Sequence, residues 1–469
     1  MARYDLIVRG GKVCTADSTQ TADIAIRGGK IVKIGQNLVP GDGTREIDAR
    51  GKKVLPGAID VHVHLQLPVG NTVSADDFES GTRAAAMGGV TTIIDFANQD
   101  PDPKTGHSLL KGIEDRMAKA EGKVCIDYSL HGVLNKWKAL DKKELPRAVA
   151  RGITSFKMFM IYESRGLQSD DGDVFAALEC MRAMDTTLCI HAESERVMNL
   201  LIERWHKKRK VVGAYGHCLS RPNFVEAEAI QRATLWSEIT GGRLYIVHMS
   251  TGEGADIVKA AKERGIPVYG ETCPQYLIFN DEVFKDKSTG HLWATCPQIK
   301  GRKDNARLWK GLKDGEVSIV STDTCSFTRK QKAAWKGDFT KIPYGLPGVE
   351  TLLPSLYTFG VKKHRFSINH LVRLVSTNPA KFFGLYPQKG TIAVGSDADL
   401  IIIDPKREML IDAKKLESNC DWSPFEGQSL YGFPEVTLSR GRVIGEKGKF
   451  CGKAGTGRFV QRSTGNLLE

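Results

Sequence analysis

Two hydrophobic rhythms divide the chain, strict alternation near both ends and a longer strand-and-helix period between them. Asp5-Leu6-Ile7-Val8-Arg9 leads through Gly10-Gly11 into Lys12-Val13-Cys14. The pattern returns as Ile24-Ala25-Ile26-Arg27, Gly28-Gly29 and Lys30-Ile31-Val32. Apolar runs around a Gly-Gly pair predict hairpins with primed turns, because glycine reaches the positive φ such turns need. A third copy spans Val436 to Ile444 around Arg440-Gly441, and the run from Gly395 to Asp404 supplies another turn and strand. These signals predict a β-sandwich built from residues 1–55 and 386–450.

Between the ends, eight apolar strand candidates alternate with helical segments: Ile59–His64, Thr91–Phe96, Cys125–His131, Ile153–Phe159, Thr187–Ala192, Leu244–Ser250, Val268–Cys273 and Val317–Thr322. Ser74-Ala75-Asp76-Asp77 has the spacing of a capping box, with Gly88-Gly89 closing the same helix. Thr251 is placed to cap a helix ending near Gly265, and Gly241-Gly242 ends the one before it. Eight such alternations over residues 56–385 predict an α/β fold, a (β/α)8 TIM-like barrel, with an open doubly wound sheet as the competing arrangement.

Composition narrows the class. At 469 residues, with 41% hydrophobic and 26% charged positions, the chain has room for more than one core. The net charge of +12 has its densest patch at Lys207-Lys208-Arg209-Lys210. The other basic residues are dispersed and no nucleic-acid motif accompanies them, so solvated helix faces are the simpler reading and no nucleic-acid partner is expected. Ten cysteines without a Cys-x-x-Cys pair suggest reduced thiols. The first five residues run straight toward a strand and no apolar run has spanning length, so a soluble cytoplasmic protein without a membrane partner is expected.

The chemistry-bearing residues fall at strand ends. Alternation along Asp60-Val61-His62-Val63-His64 puts Asp60, His62 and His64 on one face, with Ile59, Val61 and Val63 on the other. The fourth candidate strand carries Lys157, the fifth ends in His191, the sixth carries His248, and the eighth leads to Asp323. In a parallel barrel the carboxyl ends of the strands converge on one rim, where active sites form. Lys157 is set among apolar neighbours. It either snorkels to solvent, pairs with a carboxylate, or becomes neutral and takes up carbon dioxide as a carbamate able to bridge two cations.

The string Pro56-Gly57-Ala58-Ile59-Asp60-Val61-His62-Val63-His64 resembles the first-strand signature of the amidohydrolase superfamily. Phe156-Lys157-Met158-Phe159, Ser220-Arg221-Pro222, Glu271-Thr272-Cys273-Pro274-Gln275-Tyr276 and Gly345-Leu346-Pro347-Gly348 resemble the dihydropyrimidinase and D-hydantoinase family in particular. That resemblance implies two divalent metal ions, usually zinc. His62, His64 and Asp323 would hold one, His191 and His248 the other, and N6-carboxylysine at Lys157 would bridge them. It further implies Tyr162 as an oxyanion donor, Asp323 as the proton carrier, a small cyclic amide as substrate, and a homotetramer in which residues 451–469 form an oligomerisation tail.

Three positions depart from the family pattern: Cys296 where a serine is usual, Tyr344 in place of an asparagine, and Thr324 after the aspartate. Cys296 and Tyr344 are expected at the substrate, as is Leu65 in the loop through Gly70. These changes suggest a preferred ring other than dihydrouracil. An allantoinase or cyclic imide hydrolase with the same metals is the alternative. A non-catalytic scaffold of the dihydropyrimidinase-related kind is disfavoured, because all six ligand positions are filled.

Overall fold

The computed structural model describes residues 4–465 and 468; part of the expected uninterrupted start, Met1 to Arg3, lies outside them. All eight central strands form, in one parallel sheet that follows chain order. They are Ala58–Val63, Val90–Asn98, Asp127–Val133, Ser155–Phe159, Thr187–His191, Arg243–Ile246, Val268–Thr272 and Ile319–Val320. The seam between last and first is narrow: a parallel bridge joins Val63 to Thr324, and the His64 N–H donates to the Thr324 carbonyl at 2.8 Å. The sheet is therefore a nearly closed barrel.

Strands from both chain ends join in a separate nine-stranded mixed sheet. At its centre Lys53–Pro56 pairs antiparallel with Leu400–Ile403 and parallel with Leu6–Cys14. Leu6, Val8, Ile24, Ile26, Leu400, Ile402 and Leu438 share its hydrophobic core. Gly28-Gly29 is a tight turn with both φ positive, at 59° and 79°, and Arg440-Gly441 repeats it at 45° and 72°. Gly10-Gly11 differs from expectation. One strand runs through it, and the pairing shifts register between Val8 and Gly11, so the glycines make a bulge and not a turn.

Two other local expectations change. The first central helix, Phe78–Met87, is capped one residue before its start by Asp77, which trades hydrogen bonds with Ser80; the box spacing at Ser74 is not used. The sixth strand stops at Ile246, short of His248, whose N–H bonds at 3.1 Å to the side-chain carboxylate of Glu271 on the seventh strand and not to a backbone carbonyl. Thr251, Gly241 and Gly265 end their helices as expected, the two glycines with φ of 65° and 73°.

The first barrel strand is irregular, and its apolar face splits. Pairing with the second strand shifts at Ala58/Ile59 and again between Asp60 and Val63. Ile59 and Val61 then pack with Cys189, Tyr245, Phe382 and Phe383, whereas Val63 joins the cluster of Phe78 and Ala85.

The C-terminal segment packs on its own chain, as far as it is described; Asn466, Leu467 and Glu469 lie outside the described residues. Val460 N–H donates to the Tyr128 carbonyl at 2.7 Å. Arg462 is buried and donates to Ser129 and Ser155, each at 2.9 Å. Among the described residues no helix is long and apolar enough to cross a membrane.

Lys389 ties the sheet to the barrel. Its buried ammonium lies 2.6 Å from Asp127, 3.0 Å from Asp397 and 2.7 Å from Asp399. Lys389→Ala leaves three buried carboxylates facing one another, so a loss of about 3–5 kcal/mol is expected. A fall in the denaturant midpoint checks it, and an unmoved midpoint would contradict it.

Candidate metal centre

Each chemistry-bearing residue reaches the rim from a different element. His62 is the penultimate residue of the first strand and His64 follows its end; Lys157 is central in the fourth and His191 ends the fifth. His248 and Asp323 sit on turns just beyond the sixth and eighth strands, with φ of 40° and 53°. Left-handed backbone at non-glycine residues is costly and persists where surrounding contacts impose it. Here it turns both side chains back into the cavity.

The groups converge. His62 Nε2 and His64 Nε2 lie 3.3 and 3.2 Å from the same Asp323 oxygen. The ring centres of His191 and His248 are 4.5 Å apart, and those of His62 and His248 are 5.2 Å apart. Burial pushes His62, His191 and His248 below the usual imidazole range, which leaves them neutral with a lone pair to offer. Lys157 Nζ is buried without a hydrogen-bond partner, as are His64 Nδ1 and His248 Nδ1. Burial pushes the Lys157 amine down to about 8. Unpartnered buried nitrogens are costly, so three of them gathered at one site suit a ligand that engages them.

Two carboxylates that sequence reasoning missed orient these rings. Glu271 Oε1 contacts His62 Nδ1 at 2.5 Å, while its other oxygen accepts from Tyr245 Oη at 2.9 Å. That contact leaves His62 Nε2 to face the site. Glu193 Oε2 contacts His191 Nε2 at 2.7 Å, which leaves His191 Nδ1 as the free donor atom. Burial works against the Glu193 anion, but the His191 hydrogen bond and the charges of Arg221 and Lys300 hold its carboxyl at about 2. The Cys296 thiol also donates to Glu193, at 3.1 Å. Burial beside that carboxylate drives the thiol far above its usual range, so it acts as a donor and not as a thiolate ligand. Glu271 stands in the Glu-Thr-Cys-Pro string and Glu193 two residues past a strand-end histidine, but only the folded chain shows what they touch.

Asp60 serves the frame. Its carboxylate accepts from the His62 N–H at 3.2 Å and the Thr322 N–H at 3.1 Å, locking the first strand to the eighth. Glu271→Gln should lower metal affinity about 10- to 100-fold, the usual cost of losing such a support. Chelator competition measures it, and unchanged retention would exclude the orienting role.

One cavity of about 1160 Å³ opens over the cluster. His62, His64, Lys157, His191, His248 and Asp323 line it, with Tyr162, Cys296 and Tyr344. Tyr162, at φ 76°, has its N–H held by Glu195 at 2.6 Å, and burial keeps its phenol protonated. The Tyr344 ring lies 4.7 Å from that of His217, tilted by 39°, and its hydroxyl accepts from Arg221 at 3.3 Å. Leu65 is not a lining residue: it is buried against Gly81, and Leu67 to Gly70 border the cavity in its place. Thr324 lies in the barrel seam.

A nearly closed barrel with histidines, a lysine and an aspartate on one rim defines a metal-dependent hydrolase class. The Amidohydrolase family model matches residues 53–444, and the chain belongs to that family. The chain is 41% identical to a D-hydantoinase of Geobacillus stearothermophilus, over 97% of this chain and 96% of that protein. It is 39% identical to a D-phenylhydantoinase of Escherichia coli O7:K1, over 97% and 98%. A crystal structure of a dihydropyrimidinase from Brevibacillus agri superposes with a TM-score of 0.94 at 37% identity, covering 98% of this chain and 99% of that one. Within the family the chain is a cyclic amidohydrolase of hydantoinase type.

Proposed function

We propose that this enzyme opens a hydantoin or dihydropyrimidine ring to an N-carbamoyl amino acid, using two divalent cations. The observation that carries the reading is Lys157, a buried amine without a partner among neutral imidazoles and Asp323. In this reading His62, His64 and Asp323 hold one ion, His191 and His248 the other, and carbamylated Lys157 joins them. Imidazole nitrogens with carboxylate-type oxygens suit zinc. Bound there, the ions supply an acidified water and a polarised carbonyl.

The protein's own groups then act at defined atoms. Tyr162 donates its phenol proton in a hydrogen bond to the oxygen on which charge collects as the carbonyl carbon becomes tetrahedral. Asp323 takes a proton from the attacking water and passes it to the ring nitrogen as the C–N bond breaks. The water oxygen ends in the new carboxylate, and the nitrogen becomes the terminal carbamoyl amine. Glu193 and Glu271 hold His191 and His62 in the tautomers this arrangement requires.

The test is a turnover panel of dihydropyrimidines, 5-substituted hydantoins, cyclic imides and allantoin, run with metal analysis. About two divalent ions per chain and opening of a hydantoin or dihydropyrimidine are expected. A protein without metal under replete conditions, or one that opens only cyclic imides or no hydantoin other than allantoin, would overturn the reading.

A further inference from the structure

We propose that the preferred ring carries a carboxylate-bearing substituent, received at the cavity mouth by Arg165 and Lys330. The inference rests on the cyclic-amide reading above and names its substrate class more closely.

The cavity, at about 1160 Å³, exceeds the ~300–1,000 Å³ of ordinary small-molecule sites. A bare five- or six-membered ring at the metal end leaves space unfilled toward the mouth. The charge of that space is one-sided. Among the described residues lining the cavity Asp323 is the only acidic one, and it lies with the histidines. Arg165, Lys330 and Lys341 also line it and are exposed, on its solvent side. Low-dielectric walls focus such a field and concentrate anions at the mouth.

Arg165 is held for contact. Its guanidinium carbon lies 4.8 Å from the centre of the Tyr162 ring and 5.6 Å from that of Tyr344. Stacking on ring faces fixes the plane of a guanidinium and leaves its N–H edge open to a carboxylate. No carboxylate of the described residues pairs with it: Glu163, two residues before it, reaches Arg196 at 3.4 Å. Lys330 likewise has no ion-pair partner among the described residues, whereas Lys341 is drawn to Asp338 at 3.8 Å. Tyr344 is braced from within, with Arg221 5.2 Å from its ring centre. Its departure from the family pattern thus has a structural use, because it supplies the second ring that positions Arg165. Tyr162 stands between this cation and the metal cluster, so a substituent one or two methylenes long could reach Arg165 from a ring poised at Tyr162. The product would be the N-carbamoyl derivative of an acidic amino acid.

The measurement is the ratio of kcat/KM for a hydantoin bearing a carboxymethyl or carboxyethyl group at its substituted carbon to that for the neutral amide of the same shape. Metal-replete enzyme is expected to favour the acid by about tenfold at low salt, and the preference should shrink as ionic strength rises. Arg165→Gln should collapse the ratio toward one, and Arg165→Glu should invert it in favour of an aminoalkyl substituent. Turnover of the neutral amide in each variant reports that the protein is folded and loaded. A wild-type ratio near one, or a ratio unmoved by both variants while neutral rings still open, overturns this inference alone. If no ring is opened by metal-loaded enzyme, the cyclic-amide reading fails and this inference falls with it.

Discussion

Lys157→Ala is expected to lower kcat/KM by on the order of 10³-fold or more, and to reduce bound metal at the same time. The lysine is fully enclosed, its nitrogen contacts no acceptor, and it lies 4.9 Å from the centre of the Phe159 ring. A cation in that position would gain little and lose its hydration, so burial favours the neutral amine, the form that reacts with carbon dioxide. If Lys157 is carbamylated as proposed, truncation would remove both bridging oxygens and leave a slot the length of the side chain. Short carboxylic acids such as acetate or formate should enter that slot and restore part of the activity, with metal content recovering in parallel. Full activity in the unsupplemented variant would end the carbamate proposal. Loss of activity with metal content intact and no rescue would assign Lys157 some other role.

Asp323→Asn is expected to cost about 10²- to 10⁴-fold in kcat, the usual range for removing a group that transfers a proton. Asparagine has nearly the same shape and tolerates the left-handed backbone found there, at φ 53°, so the fold should persist. The amide cannot accept and release a proton at neutral pH. The loss of kcat should therefore persist when excess metal restores full loading, an outcome that weakened metal binding alone does not produce. Near wild-type kcat at full metal loading would show that another group carries the proton.

Much of the candidate site was legible because its signals are local. A histidine at the end of an apolar run marks a strand end, and eight such runs separated by helices leave few ways to place those ends except on one rim. His62, His64, Lys157, His191, His248 and Asp323 were found this way, and the structure brings all six to one cavity. Leu65 misled because an apolar side chain next to a rim histidine suits the cavity wall and the core equally well, and it packs in the core. The carboxylates behind the ligands were not legible. Glu271 is 209 residues from His62, and no spacing rule connects them.

What the sequence determined by itself is periodic: strand-and-helix alternation, the eight strands, the turns at Gly28-Gly29 and Arg440-Gly441, and the kinds of side chain at the strand ends. Each depends on backbone preference or side-chain repeat within a few residues. Only the tertiary structure decided that Gly10-Gly11 bulges and does not turn, because Lys53–Pro56 and Thr19–Arg27 both pair with the strand containing it. The same holds for the split face of the first strand, for Arg462 inserted among the barrel strands, and for Arg165 set between Tyr162 and Tyr344. These depend on contacts between distant segments, whose free energy exists only once the chain has closed the intervening loops.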